Sequence, residues 1–126
     1  MMKKKVFISF DYDHDRDIKN NLVRQSRDPN SPFEIRDESI QVPIEARWRD
    51  VVRNRMQHCD YVIVLCGEHT DTATGVTAEL TIAQELGIPY FLLRGRRSVE
   101  CRKPQHARRE DLMHPWTWTE LERMLS

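Results

Sequence analysis

Two groups of acidic residues could do chemistry. The first is "FDYDHDRD", in which Asp11, Asp13, Asp15 and Asp17 alternate around His14 immediately behind the apolar run "VFISF", Val6 to Phe10. Carboxylates set just past the end of a buried strand can attack phosphorus or bridge a divalent cation. The second is a single residue, Glu79. At about 100° per residue, a helix from Gly75 to Leu86 places Thr77, Thr81, Gln84 and Glu85 on one side and Val76, Leu80, Ile82, Ala83 and Leu86 on the other. Glu79 falls in the middle of the apolar arc. An ionised, unpaired carboxylate there costs on the order of several kcal/mol, so it needs a partner, a solvent-lined cleft or a role in chemistry. Pairing with Arg36, Arg47 or the backbone is the structural alternative. The helix dipole favours its ionised form and burial opposes it.

The elements that must position these groups alternate. "VFISF", "PFEIR" (Pro32 to Arg36), "YVIVLC" (Tyr61 to Cys66) and "PYFLL" (Pro89 to Leu93) read as strands, with "DLMH" (Asp111 to His114) as a short fifth. Between them lie helices: one capped by Asp15 or Asp17 and carrying Ile18, Leu22 and Val23; one behind Pro43 with Ile44, Trp48, Val51, Val52 and Met56; the Glu79 helix, stopped by Gly87 and Pro89; and one opened by the capping pattern "TWTE", Thr117 to Glu120. Alternation of this kind implies right-handed crossovers and an α/β, flavodoxin-like parallel sheet of four to five strands with helices on both faces, in one domain spanning residues 1–126. Ligands of such sheets gather beyond the carboxyl ends of the strands, here the loops Asp11 to Asp17, Arg36 to Pro43 and Gly67 to Thr74.

The aspartate loop fits metal and phosphate chemistry poorly. "FDYD" matches the acidic pair of haloacid-dehalogenase phosphatases, but their later Ser or Thr strand tip and further acidic pair are missing. A response-regulator receiver needs an acceptor aspartate where Cys66 and Gly67 stand. A Mg2+ or Zn2+ site built from Asp11, Asp13, His14 and Asp15 lacks a second ligand cluster. Capping and solvation are the simpler account, and no metal site is expected.

Lys plus Arg and Asp plus Glu number 20 each, so bulk charge gives no reason to expect nucleic acid or an acidic membrane. "RGRRSVECRKPQHARR", Arg94 to Arg109, is a local basic segment read as a solvated loop. Three cysteines without CxxC spacing read as buried, reduced thiols. With no apolar run of about 20 residues, the expected location is the cytoplasm.

In order and spacing, "VFISFDYDHD", "FEIRDES", Trp48, "CDYVIVLCGEHT" and "VTAELTIAQELGIPYFLL" resemble the TIR superfamily, and specifically the TIR-like domains of the Thoeris antiphage-defence type, over about Lys4 to Leu93. The resemblance makes Glu79 the catalytic position. It implies cleavage of the nicotinamide–ribose bond of NAD+, as a substrate rather than a resident cofactor, by an NAD+ nucleosidase or ADP-ribosyl cyclase whose ADP-ribose-derived product, a cyclic isomer or a relative, signals in antiphage defence. Phe10 and Tyr12 would stack on a ring, Ser9, Arg36 or Ser39 would donate to hydroxyls or phosphate, and the acidic run from Asp11 would form the rim of the pocket. It also implies self-association, a phage-derived trigger and a downstream effector reached through the nucleotide messenger. Many enzymatic relatives carry Trp four residues before the glutamate, where this chain has Gly75. A non-catalytic TIR-like interaction module is the second reading, and a Mg2+-dependent phosphohydrolase using Asp11 and Asp13 the third.

Overall fold

The computed structural model describes residues 3–39 and 46–126. The chain runs β1 (Lys4–Ser9), α1 (Arg16–Ser26), β2 (Phe33–Glu38), α2 (Ala46–Met56), β3 (Tyr61–Cys66), a 3-10 turn (Thr70–Thr72), α3 (Thr74–Leu86), β4 (Tyr90–Arg94), β5 (Met113–His114) and α4 (Trp118–Leu125). All pairings are parallel, in the order β2-β1-β3-β4-β5. This is the flavodoxin-like sheet expected from the alternation of elements, with "DLMH" contributing its two-residue edge strand. The proposed first-turn position of Pro43, and Ile44 behind it, lie outside the described residues.

Strand periodicity divides the core. Val6 and Ile8 of β1 and Ile63 and Leu65 of β3 pack with Ile18 and Leu22 of α1 and Leu121 and Leu125 of α4. Their neighbours Phe7, Val62 and Val64 face the other way, onto Val52 and Met56 of α2 and Leu80 and Ile82 of α3. Successive strand side chains point to opposite faces, so Ser9, two residues past Phe7, is presented to the α3 side.

Local chemistry ends the helices. Gly87 closes α3 in the left-handed region, φ 68°, where a side chain is disfavoured. The Thr117 hydroxyl accepts the Glu120 N–H at 3.1 Å, the cap anticipated at α4. The cap expected at α1 is absent: Asp15 occupies the N-cap position, but its side chain makes no capping bond. It turns instead to Arg96, which contacts Asp15 Oδ1 at 3.1 Å, Asp17 Oδ1 at 2.7 Å and the His14 carbonyl at 3.1 Å. Part of the basic segment thus clamps the acidic loop from behind. Gly67 makes room for this arrangement, since a Cβ there would lie 2.5 Å from both Asp15 carboxylate oxygens.

Cys59 and Cys66 are buried and Cys101 is half-buried; all three are free thiols. Burial pushes Cys59 up to about 11 and Cys66 higher still, so neither is a ready nucleophile. Among the described residues no helix is long and apolar enough to cross a membrane.

Candidate active site at the carboxyl edge of the sheet

Beyond the carboxyl ends of β1 and β2 lies a cavity of about 250 Å3, lined by Phe10 to His14, Ser39, Trp48, Thr72 to Val76 and Glu79. Its deepest polar group is Glu79, 1% exposed, on the first turns of α3. The wheel's inward placement of this residue is what the structure shows.

Two hydroxyls converge on one carboxylate oxygen. Ser9, at the end of β1, donates to Glu79 Oε1 at 2.6 Å, and Ser39, just past β2, donates to the same oxygen at 2.5 Å. Ser39 is itself fixed: its Oγ accepts the Phe10 N–H at 3.0 Å and its own N–H reaches the Ile8 carbonyl at 2.9 Å. The other oxygen, Oε2, is buried with no hydrogen-bond partner among the described residues. Burial raises Glu79 from its ordinary 4.5 to about 7, against the downward pull of Ser39 and then Ser9. The carboxyl therefore exchanges its proton near neutrality, a property concentrated at functional sites.

Trp48 is the second unsatisfied group lining this cavity. Its indole is 5% exposed and lines the same cavity, and its Nε1–H finds no partner among the described residues. Sequence periodicity places Trp48 only on the apolar stripe of its helix. The signal that could have separated it from Val52 and Met56 is its polar N–H, which needs a partner when buried. Gly75 also lines the cavity and has open space beside it among the described residues, so the indole at this cavity comes from α2 rather than α3.

The other expected residues divide. Ser9 and Ser39 hold Glu79. Phe10 is buried in the wall, stacked on Tyr12 with centroids 5.7 Å apart, while the Arg16 guanidinium lies 5.0 Å over the Tyr12 ring. Asp11 is at the rim, but both its oxygens serve its own loop: Oδ1 accepts the Asp13 N–H at 3.1 Å and Oδ2 meets His14 Nδ1 at 2.7 Å. That hydrogen bond raises the His14 pKa. With Asp11 so committed, its pairing with Asp13 as a bridging set is not prepared, and the described residues contain no cluster of metal-ligating side chains.

Arg36 is not brought to the cavity. It is exposed and lines a separate groove with Val23, Arg27 and Glu34. Two features remove it. β2 runs on to Glu38, so Arg36 lies inside the strand rather than at its tip, and the register against β1 slips between Val6–Ile35 and Phe7–Asp37, leaving Arg36 without a partner.

Comparison with known proteins adds to this geometry. The profile of the family described as "Thoeris protein ThsB, TIR-like domain" matches residues 7–97. A comparison with curated proteins finds no match. Among matching solved structures is one titled "Crystal Structure of a prokaryotic SEFIR domain", 17% identical, covering 96% of this chain and 86% of that one with a TM-score of 0.54, a likeness of fold.

Proposed function

Since this chain belongs to the family of Thoeris ThsB TIR-like domains, we propose that it cleaves the bond between nicotinamide and ribose in NAD+ and releases an ADP-ribose-derived signal in antiphage defence. The observation that carries this reading is the half-used carboxylate of Glu79: Oε1 is fixed by two serine hydroxyls, while Oε2 is buried at the cavity with no partner among the described residues.

In this chemistry the ribose C1′–N bond breaks and its electron pair leaves with nicotinamide. Positive charge develops on the anomeric carbon. A carboxylate held beside it stabilises that charge and binds the neighbouring ribose hydroxyls, and it acts most strongly where water is excluded. Water attacking C1′ gives ADP-ribose and a proton; attack by an adenine nitrogen of the same molecule gives a cyclic ADP-ribose isomer, the alkylated adenine then losing a proton. Ser9 and Ser39 orient the carboxylate and hold down its pKa, the Trp48 Nε1–H supplies a donor for a substrate oxygen, and Tyr12 offers a ring face at the rim. Self-association and a phage-derived trigger belong to the same proposal, as does an effector that receives the nucleotide product.

Mass spectrometry of NAD+ products in lysates of phage-challenged cells tests it. Wild type should release nicotinamide and an ADP-ribose derivative, Glu79→Ala should release neither, and Asp13→Ala should retain release. Loss with Asp13→Ala but not with Glu79→Ala, together with strict metal dependence, would transfer the chemistry to the aspartate loop. An interaction module would show no turnover in any variant.

A further inference from the structure

A second hollow adjoins the first. It also encloses about 250 Å3, and the two share Thr72 and Thr74 at the start of α3. Its lining includes Thr77 and Thr81 from the polar arc of α3, Arg49 from α2, and His106. Either hollow alone is smaller than the roughly 300–1,000 Å3 of an ordinary small-molecule site, whereas the two joined fall within that range.

The first turn of α3 stands at the junction and is bare. Ala73 at its N-cap makes no side-chain capping bond, and among the described residues the space beside Gly75 is open. Free N–H groups at a helix start attract phosphate oxygens. Independently, the adjoining cavity holds two buried polar atoms without partners among the described residues, Glu79 Oε2 and Trp48 Nε1, a condition that an incoming ligand relieves.

The second hollow supplies matching chemistry. Arg49 brings a guanidinium suited to phosphate. His106 has φ 72°, a conformation that costs a non-glycine residue free energy and persists only where its surroundings enforce it. Here Gln84 Nε2 donates to its carbonyl at 3.0 Å and Thr81 Oγ1 meets its Nδ1 at 2.9 Å. The Thr81 hydroxyl gives its one proton to the Thr77 carbonyl at 3.0 Å. Toward the imidazole it therefore accepts and Nδ1 carries the hydrogen; in the neutral ring Nε2 is then an acceptor of the kind a base amino group requires.

We propose that this second chamber receives the nucleoside-diphosphate half of the substrate, with the diphosphate between the α3 amino end and Arg49 and the base against Thr77, Thr81 and His106. The proposal rests on the Glu79 cavity being the reaction centre. Binding energy gathered in the remote chamber then positions the reacting bond over Glu79.

Calorimetric titration of the full chain with ADP, which has the diphosphate and base but no bond for Glu79 to act on, tests the chamber. Wild type should bind ADP, and Arg49→Ala and Thr77→Leu should each weaken ADP and NAD+ binding by about tenfold or more while leaving the binding of nicotinamide riboside, which lacks both phosphates and the adenine base, unchanged. Both side chains are at least partly exposed, and unchanged thermal unfolding verifies that the variants fold. Chamber-dependent ADP binding in a protein that never cleaves NAD+ keeps the chamber and removes the catalytic reading. Cleavage of NAD+ with an unaltered KM in both variants removes the chamber and keeps the catalytic reading. Absence of ADP binding by wild type, or equal weakening of all three ligands, also overturns the proposal.

Discussion

Ser39 and Glu79 stand 40 residues apart in sequence, yet the serine hydroxyl meets the carboxylate at 2.5 Å in a buried bond between the carboxyl end of β2 and the first turns of α3. Ser9 completes the clamp from β1 at 2.6 Å. The sheet edge and the helix are thereby tied at the most deeply buried acid of the cavity.

Replacing Glu79 with glutamine separates burial from chemistry. A carboxyl whose folded pKa exceeds its unfolded value contributes stability that is full below about 4.5 and is lost as pH rises through about 7. At about 1.36 kcal/mol per pKa unit the loss is about 3 kcal/mol. Glutamine does not titrate, so urea denaturation should show Glu79→Gln gaining on wild type by about that amount between about pH 4 and about pH 8. A gap independent of pH would show that the carboxyl is not held at a raised pKa.

The serines should set the pH dependence of turnover. Both hydroxyls lower the Glu79 pKa, and cleavage uses the ionised form. Nicotinamide release should therefore rise with pH through about 7 in wild type, and the rising limb should move to higher pH in Ser39→Ala and Ser9→Ala. A limb that stays in place in both variants would assign it to another group.

Trp48→Phe removes a buried donor that has no partner among the described residues. An unmet buried donor costs roughly 1–3 kcal/mol, so its removal should leave stability to urea equal or higher despite the smaller ring. NAD+ affinity should fall at the same time. A variant that loses stability and keeps affinity would place the indole in the core alone.

Arg96→Ala should damage the fold from a distance. Asp15 is 1% exposed, and Arg96 is its charged partner at 3.1 Å. Burial raises the Asp15 pKa while Arg96 lowers it, so removing the guanidinium leaves a buried carboxylate without compensation. The expected cost is about 3–5 kcal/mol. The double variant with Asp15→Asn should recover part of it, and additive losses in thermal unfolding would contradict the pairing.

The apolar runs of "VFISF" and "YVIVLC" expose β1 and β3 to within a few residues, because a strand buried on both faces shows itself locally. Glu79 is equally legible, since a single acid on an apolar arc needs only helical periodicity to be noticed. Arg36 misleads because "PFEIR" does not reveal that β2 continues to Glu38 or that its register slips. Asp15 reads as a cap for a similar reason: its actual partner lies 81 residues away, and local sequence cannot display it. Trp48 and the second chamber depend on how α2, α3 and the segment around His106 pack together, which no single stretch of sequence encodes.

Nicotinamide release from NAD+ in phage-challenged lysate, compared between wild type and Glu79→Gln, probes the role of this carboxylate most directly. Glutamine keeps the size and can accept both serine hydroxyls, so only the charge is lost. The expected result is a rate reduced by about a hundredfold or more with folding intact. A glutamine variant that releases nicotinamide at the wild-type rate would contradict the assignment.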